Sequence, residues 1–185
     1  MRSANIRRDG YLKFLNTWQD RDVIKVLSGV RRSGKSTLLA MFQQDLKAQG
    51  VQAENIIAIN FEFMEFEELT DYRKLHDYVL SKVDKVKKLC FLDEIQHVTN
   101  YEKVVDSLYV RDYIDLYITG SNAFFLSGEL ATLLTGRYIE QHVLPFHSKN
   151  LNSGILKIIR SSNNYPIVIC MPCIRAVVSL YACHD

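Results

Sequence analysis

Apolar residues fall along this chain in blocks whose spacing switches between that of strands and that of helices. Tyr11, Leu12, Phe14, Leu15 and Trp18 recur at helical spacing and predict a helix over residues 9–18. Val23-Ile24-Lys25-Val26-Leu27-Ser28 is β-branched and apolar, the pattern of a buried strand. A helix follows from about Ser36 to Gln49, with Gly50 as its stop. Asn55 to Phe61 predicts a second strand, Glu62 to Glu68 an acidic and aromatic loop, and Leu69 to Val83 a helix. Leu89-Cys90-Phe91-Leu92 reads as a third, buried strand, residues 101–110 as a helix, and Asp115 to Asn122 as a fourth strand. Phe124 to Leu134 reads as a helix, and Tyr138 to Leu144 as a fifth strand closed by Pro145. Strands alternating with helices predict an α/β fold built on a parallel sheet.

The length changes this picture little: 185 residues hold one such domain and a small appendage. Lys and Arg total 23 against 21 Asp and Glu, a net charge of +2 that demands neither a nucleic-acid nor a membrane partner. The first eight residues lack the apolar core of a signal peptide, and no apolar run is long enough to span a bilayer. Reduced thiols and a cytoplasmic location are therefore expected for the four cysteines, Cys90, Cys170, Cys173 and Cys183.

The candidate chemistry begins at Gly29-Val30-Arg31-Arg32-Ser33-Gly34-Lys35-Ser36-Thr37, which fits G-x-x-x-x-G-K-[ST] at every fixed position, between a strand and a helix. Gly29 and Gly34 permit backbone angles and approaches that a Cβ blocks. The loop can then turn N–H groups toward phosphate oxygens, and the helix N-terminus adds its dipole. Lys35 can reach β- and γ-phosphates, and Ser36 can offer its hydroxyl to Mg²⁺. Gly29, Arg32, Ser33, Gly34, Lys35, Ser36 and Thr37 make up the candidate phosphate-binding set. For Arg31 and Arg32, exposed, solvated side chains are the competing reading.

A second stretch, Leu89 to Gln96, delivers Asp93 and Glu94 at the end of a buried strand. Asp93 there can hold Mg²⁺, and Glu94 can polarise a water for attack on a γ-phosphate. Ile118-Thr119-Gly120-Ser121-Asn122 ends the next strand in polar residues. Ser121 or Asn122 would suit a γ-phosphate sensor, with Thr119 as fallback, against a plain turn. Arg137 falls between a helix and a strand, where a guanidinium would stabilise transition-state charge, in cis or across a subunit boundary, or form a surface salt bridge. Glu62, just past the second strand, is a further site candidate. The aromatics of the first helix read as core, with adenine contact as the alternative.

Together these motifs, with Leu133-Leu134-Thr135-Gly136-Arg137, resemble the AAA-type ATP-binding proteins of bacteria and archaea over about residues 10–146. The resemblance implies an AAA-like sheet of order 5-1-4-3-2, ATP as nucleotide and Mg²⁺-dependent hydrolysis. It places phosphate binding on Lys35, metal binding on Ser36 and Asp93, the base on Glu94, a sensor on Ser121 and the arginine role on Arg137. Members of this family usually continue into a separate C-terminal domain.

The expected organisation is an ATP-binding domain over 1–146 and an atypical tail over 147–185, read as a replaced or frame-shifted end. Cys170-Met171-Pro172-Cys173 with Cys183 and His184 offers zinc-ligand types, but its spacing fits no standard site, and incidental cysteines are favoured. The leading function is an ATPase that drives conformational change in a protein partner or homo-oligomer. The alternative is an ATP-binding module with little or no hydrolysis. A GTPase is disfavoured because no Asn-Lys-x-Asp motif occurs, a small-molecule kinase because the Asp93-Glu94 pair suits water activation. No basic stripe argues for nucleic acid.

Overall fold

Five strands pair side by side, every pair parallel: β1 (Ile24–Ser28), β2 (Ile56–Asn60), β3 (Lys88–Asp93), β4 (Ile114–Gly120) and β5 (Tyr138–His142). The structure, a computed structural model, describes residues 7–84, 86–121, 134 and 136–145, and the backbone of 159–160 and 166–167. The strand order is β2-β3-β4-β1-β5, which is the expected order read from the other edge. Helices α1 (Asp9–Trp18), α2 (Lys35–Ala48), α3 (Tyr72–Lys82) and α4 (Tyr101–Tyr109) cover the sheet. Among the described residues no helix is long and apolar enough to cross a membrane.

Side-chain alternation along each strand splits the core into two layers. Ile24 and Val26 of β1, Cys90 and Leu92 of β3, and Leu116 and Ile118 of β4 pack with Leu75 and Val79 of α3 and Val104, Val105 and Leu108 of α4. The alternate residues Leu27, Phe91 and Tyr117 pack with Leu12 and Leu15 of α1 and Leu38, Leu39, Phe42 and Leu46 of α2. At the centre of that second layer Phe91 stacks on Tyr117, with ring centroids 4.7 Å apart, and Phe42 meets both rings edge-on or tilted. Strands covered on both faces read as continuous apolar runs, as in β1, β3 and β4.

Local chemistry sets the element ends. Gly50, at φ 97°, closes α2 in a Schellman arrangement in which Val51 N–H donates to the Leu46 carbonyl at 3.0 Å. The Asp71 carboxylate caps α3, accepting from the N–H groups of Arg73 and Lys74. That cap starts the helix at Tyr72 rather than Leu69, and Met64–Thr70 before it winds as a 3₁₀ segment instead of an open loop. Contacts divide the chain into Met1–Pro145 and Phe146–Asp185. In the second unit β6 (Ile159–Arg160) pairs antiparallel with β7 (Pro166–Ile167). The helix expected over 124–134 lies outside the described residues except for Leu134, which is buried against the first core layer. Cys170, Cys173, Cys183 and His184 also lie outside them.

One buried polar network interrupts the apolar layers. Lys25 and Asp115, both almost fully buried, form an ion pair at the N-terminal ends of the adjacent strands β1 and β4. The Asp115 carboxylate also accepts from the Tyr117 hydroxyl at 2.9 Å and the Asp20 N–H at 3.0 Å, and Lys25 donates to the Arg21 carbonyl at 2.7 Å. Burial lowers the proton affinity of Lys25, against the pull of Asp115, and raises that of Tyr117. Breaking a buried pair strands the surviving charge, whereas replacing both members removes the desolvation cost too. Asp115→Leu is therefore expected to lower stability by about 3–5 kcal/mol. Lys25→Met combined with Asp115→Leu should recover most of that loss in urea denaturation; simple additivity of the two single changes would contradict the pairing.

Candidate functional site

Because every strand runs the same way, the C-terminal ends of β1, β2, β3 and β4 share one edge of the sheet. The loop after β1 carries the first component. Gly29 adopts φ 152°, and a Cβ there would lie 2.4 Å from the Val143 carbonyl oxygen and 2.9 Å from Ser33 Oγ. The chain is therefore pressed against the end of β5, whose Val143 N–H donates to the Ser28 carbonyl at 2.7 Å. Arg32, at φ 64°, and Gly34, at φ 94°, turn the loop into α2, with Gly34 as its N-cap. Lys35, Ser36 and Thr37 form the first turn, where N–H groups lack helical acceptors. These residues, with Arg31, Glu62 and Glu94, line an open cavity of about 310 Å³.

The second component comes from β3. Asp93 is buried, and its carboxylate accepts from the Thr119 hydroxyl of β4 and from Asn60 Nδ2 of β2 at 2.9 Å. Burial nonetheless pushes the Asp93 carboxyl above its ordinary range, with the hydrogen bonds from Thr119 and Ser36 opposing the shift. Glu94 follows at φ 57°, in the left-handed region, with its N–H donating to Thr119 Oγ1 at 2.9 Å. That turn aims its carboxylate at the phosphate loop. Glu94 Oε1 lies 3.3 Å from Lys35 Nζ, and Glu94 Oε2 accepts from Gln96 Nε2 at 2.5 Å. Lys35 also donates to the Gly29 carbonyl at 3.2 Å.

The structure thus brings Arg32, Gly34, Lys35, Ser36 and Glu94 to one mouth, with Gly29 at the start of the loop and Asp93 directly before Glu94 at the end of β3. Ser33 is buried under it, its hydroxyl without a partner among the described residues. Thr37 is exposed on the cavity wall. Arg31 is exposed and reaches Glu62 at 3.4 Å, so the solvated reading of Arg31 holds, with Glu62 as its partner across the cavity.

Two expectations change. The hydroxyl touching both acids is that of Thr119, the fallback, since its side chain lies on the face of β4 toward α2; Ser121 comes two residues later, beyond the strand, and Asn122 is outside the described residues. Arg137 is not brought to this edge. It precedes β5, its carbonyl accepts from Ile24 N–H at 2.8 Å, and its guanidinium pairs with Asp106 and lies 5.8 Å from the Tyr109 ring of α4. Ile24 is four residues before Ser28, so Arg137 stands about 13 Å away at the opposite edge. Within its own chain Arg137 is thus placed in an ion pair with Asp106, away from the cavity.

Asn60, Gln96 and Arg8 were missed in the sequence. Asn60 was readable in part: it ends β2 and pairs in register with Asp93. Gln96 follows Glu94 by two positions in a 3₁₀ turn that periodicity does not announce. Arg8 donates to the carbonyls of Ser33 and Leu144, far off in the sequence.

A parallel sheet of this order, with a glycine loop feeding a helix N-terminus and acids on the neighbouring strand, is that of an AAA-like P-loop NTPase. The sequence profile of a family described as AAA domain matches residues 21–152, and the chain belongs to that family. It is 45% identical over 161 residues to an uncharacterized protein of Haemophilus influenzae, covering 83% of this chain and 40% of that one. It is 35% identical over 131 residues to one of Methanocaldococcus jannaschii, covering 68% and 27%. The chain therefore spans less than half the length of these relatives. Among solved structures it resembles Aeropyrum pernix ORC1 in complex with DNA, with TM-score 0.54 and 12% identity over 80% of this chain and 48% of that one. A DNA polymerase III gamma subunit-related protein of Thermotoga maritima is similar, with TM-score 0.54 and 11% identity over 75% and 47%. At such identity these likenesses concern the fold alone.

Two substitutions test the geometry. Gly29→Ala drives a methyl into the Val143 carbonyl and should lower stability by about 2–3 kcal/mol, measured by thermal or urea unfolding. Asp93→Asn should act the other way. The folded state raises this carboxyl's pKa, so above the ordinary value the unfolded chain ionises more readily and stability falls as pH rises. A neutral amide escapes that cost. The ligand-free Asp93→Asn protein is expected to melt higher than the parent at pH 7, and the gap should close toward pH 4.

Proposed function

We propose that this domain binds ATP with Mg²⁺ and hydrolyses its β–γ bond, using the turnover to change the conformation of a protein partner or a second copy of itself. One observation carries the reading: Lys35 and Glu94, from two elements far apart in sequence, meet at a cavity that Ser36 also lines, with Asp93 directly before Glu94 at the end of β3.

The residues fit both ligands. The helix N-terminus after Gly34, with the N–H groups of its first turn, suits a polyphosphate. A hydroxyl and a carboxylate are oxygen donors of the kind that hold a largely hydrated Mg²⁺. Bound there, Mg²⁺ would supply charge neutralisation at the β- and γ-phosphate oxygens. Lys35 would leave Glu94 and the Gly29 carbonyl for the more strongly charged phosphates. Glu94, released from that ion pair but still held by Gln96, would orient a water. The water oxygen bonds to the γ-phosphorus, its proton passes to the Glu94 carboxylate, and the bond from γ-phosphorus to the bridging oxygen breaks, leaving ADP and inorganic phosphate. Thr119 and Asn60 would hold the Asp93 carboxylate in place beside Glu94.

A second reading, an ATP-binding module that turns over little, is favoured by the position of Arg137, which supplies no charge to its own site. Across a subunit boundary the same arginine would meet another copy's phosphates, so assembly would separate the two readings.

Glu94→Gln should retain ATP binding within a few-fold while phosphate release falls by about 10²-fold or more. Lys35→Ala should lose the binding itself. Calorimetric titration with ATP, with and without Mg²⁺, beside a phosphate-release assay reads both; unchanged turnover in Glu94→Gln would remove the base from its role.

A further inference from the structure

Arg8 stands just before α1, outside every motif, yet its side chain is buried against the phosphate loop, with 8% of the residue exposed. Nη1 donates to the Ser33 carbonyl at 2.9 Å and Nη2 to the Leu144 carbonyl at 2.7 Å. The guanidinium carbon lies 4.3 Å from the centre of the Tyr11 ring. The Tyr11 hydroxyl in turn accepts the Leu144 N–H at 3.2 Å. One side chain therefore joins α1, the phosphate loop and the exit of β5, across 25 and 136 positions of sequence.

The peptide unit between Ser33 and Gly34 is planar and trans, so its carbonyl and its N–H point in opposite directions. Arg8 holds the carbonyl, and neither Arg8 nor Leu144 lines the 310 Å³ cavity. The Ser33 carbonyl is thereby engaged by Arg8, and the Gly34 N–H, on the other side of the same trans peptide, points away from Arg8, with Gly34 on the cavity lining. Glycine at 34 would otherwise let this peptide flip at little cost. Fixing it beforehand removes an ordering cost from anion binding. A guanidinium suits the task because its planar fork offers two donors at a fixed angle and keeps its charge at any working pH.

We propose that Arg8 is a positioning residue for the polyphosphate site. It locks the Ser33–Gly34 peptide with its N–H available to the anion, and it ties that peptide to the chain leaving β5 at Leu144. The proposal rests on the ATP reading above for its ligand. By linkage, whatever tightens the loop tightens the Leu144 exit, and the reverse. Arg7, its neighbour, is the control: it is exposed and pairs with Asp9 and Asp45 on the surface.

The test has two arms. In the first, ATP is titrated with Mg²⁺ into the parent protein and into Arg8→Met, Arg8→Lys and Arg7→Met. Arg8→Met should weaken binding by about tenfold or more, Arg8→Lys should restore only part of it, and Arg7→Met should stay within twofold. In the second arm, amide hydrogen exchange is followed without nucleotide. Arg8→Met should speed exchange at residues 29–36 and at 143–144 together while the β3 amides keep their protection. Arg8→Lys, the milder change, supplies the same comparison should Arg8→Met not fold. ATP affinity within twofold of the parent in both Arg8 variants would overturn the proposal, as would exchange that rises uniformly over the domain. A parent protein that binds no ATP would sink the nucleotide reading alone, since the exchange arm still decides whether Arg8 locks the loop.

Discussion

Parallel pairing in register is the constraint on which the rest of the structure depends. β1 pairs with β4 and β4 with β3, so Ser28, Gly120 and Asp93 end their strands at one edge. Nothing local directs the Asp93 carboxylate toward Ser36. It arrives there because the ladders set strand ends at fixed heights and the alternation of side chains sets the face. Were one of these strands reversed, Lys35 and Glu94 would stand at opposite ends of the sheet. The Lys25–Asp115 pair reinforces this register from the far edge, where it bridges the same two strands, β1 and β4.

Much of this was legible in the sequence because the signals were strong and local. Buried strands announced themselves as apolar runs, and the glycine loop marked where the first strand passes into a helix. Gly50 stopped α2 where a left-handed residue was expected. What the sequence does not supply is global or depends on direction. Arg137 precedes its strand, and in a parallel sheet the residues before strands and those after them occupy opposite edges, so within its own chain it stands away from the cavity. Thr119 rather than Ser121 meets Asp93 because Thr119 lies within β4, beside the end of β3, whereas Ser121 lies beyond the strand. Arg8 carried no signal at all. Its acceptors are main-chain carbonyls, which any sequence supplies, and only the closed fold brings them near.

Polar burial is distributed unevenly between the two sheet edges. At the N-terminal edge Asp115 has a cation, a hydroxyl and a backbone N–H, so a costly charge is well satisfied. The candidate site is different. Asp93 is desolvated and shifted, and Arg32 and Glu94 occupy the left-handed region. Ser33 Oγ and Gln96 Oε1 are buried without a partner among the described residues. Each of these features costs stability on the order of 1 kcal/mol or more.

Strain concentrated where phosphate-binding geometry is expected has a physical reason. A site whose polar groups were fully paired with one another would have to break those pairs to take up an anion, and binding energy would be lost to that exchange. Among the described residues Lys35 is held by a carbonyl at 3.2 Å and a carboxylate at 3.3 Å, contacts that a polyphosphate would outcompete by charge. Asp93, in contrast, is held by two donors from the strands on either side of it, Thr119 of β4 and Asn60 of β2. The fold therefore holds Asp93 between its neighbouring strands and leaves Lys35 more loosely paired, the arrangement the proposed exchange of partners would need. That division of labour follows from which strands and helices contribute each contact, not from the identity of the motif residues alone.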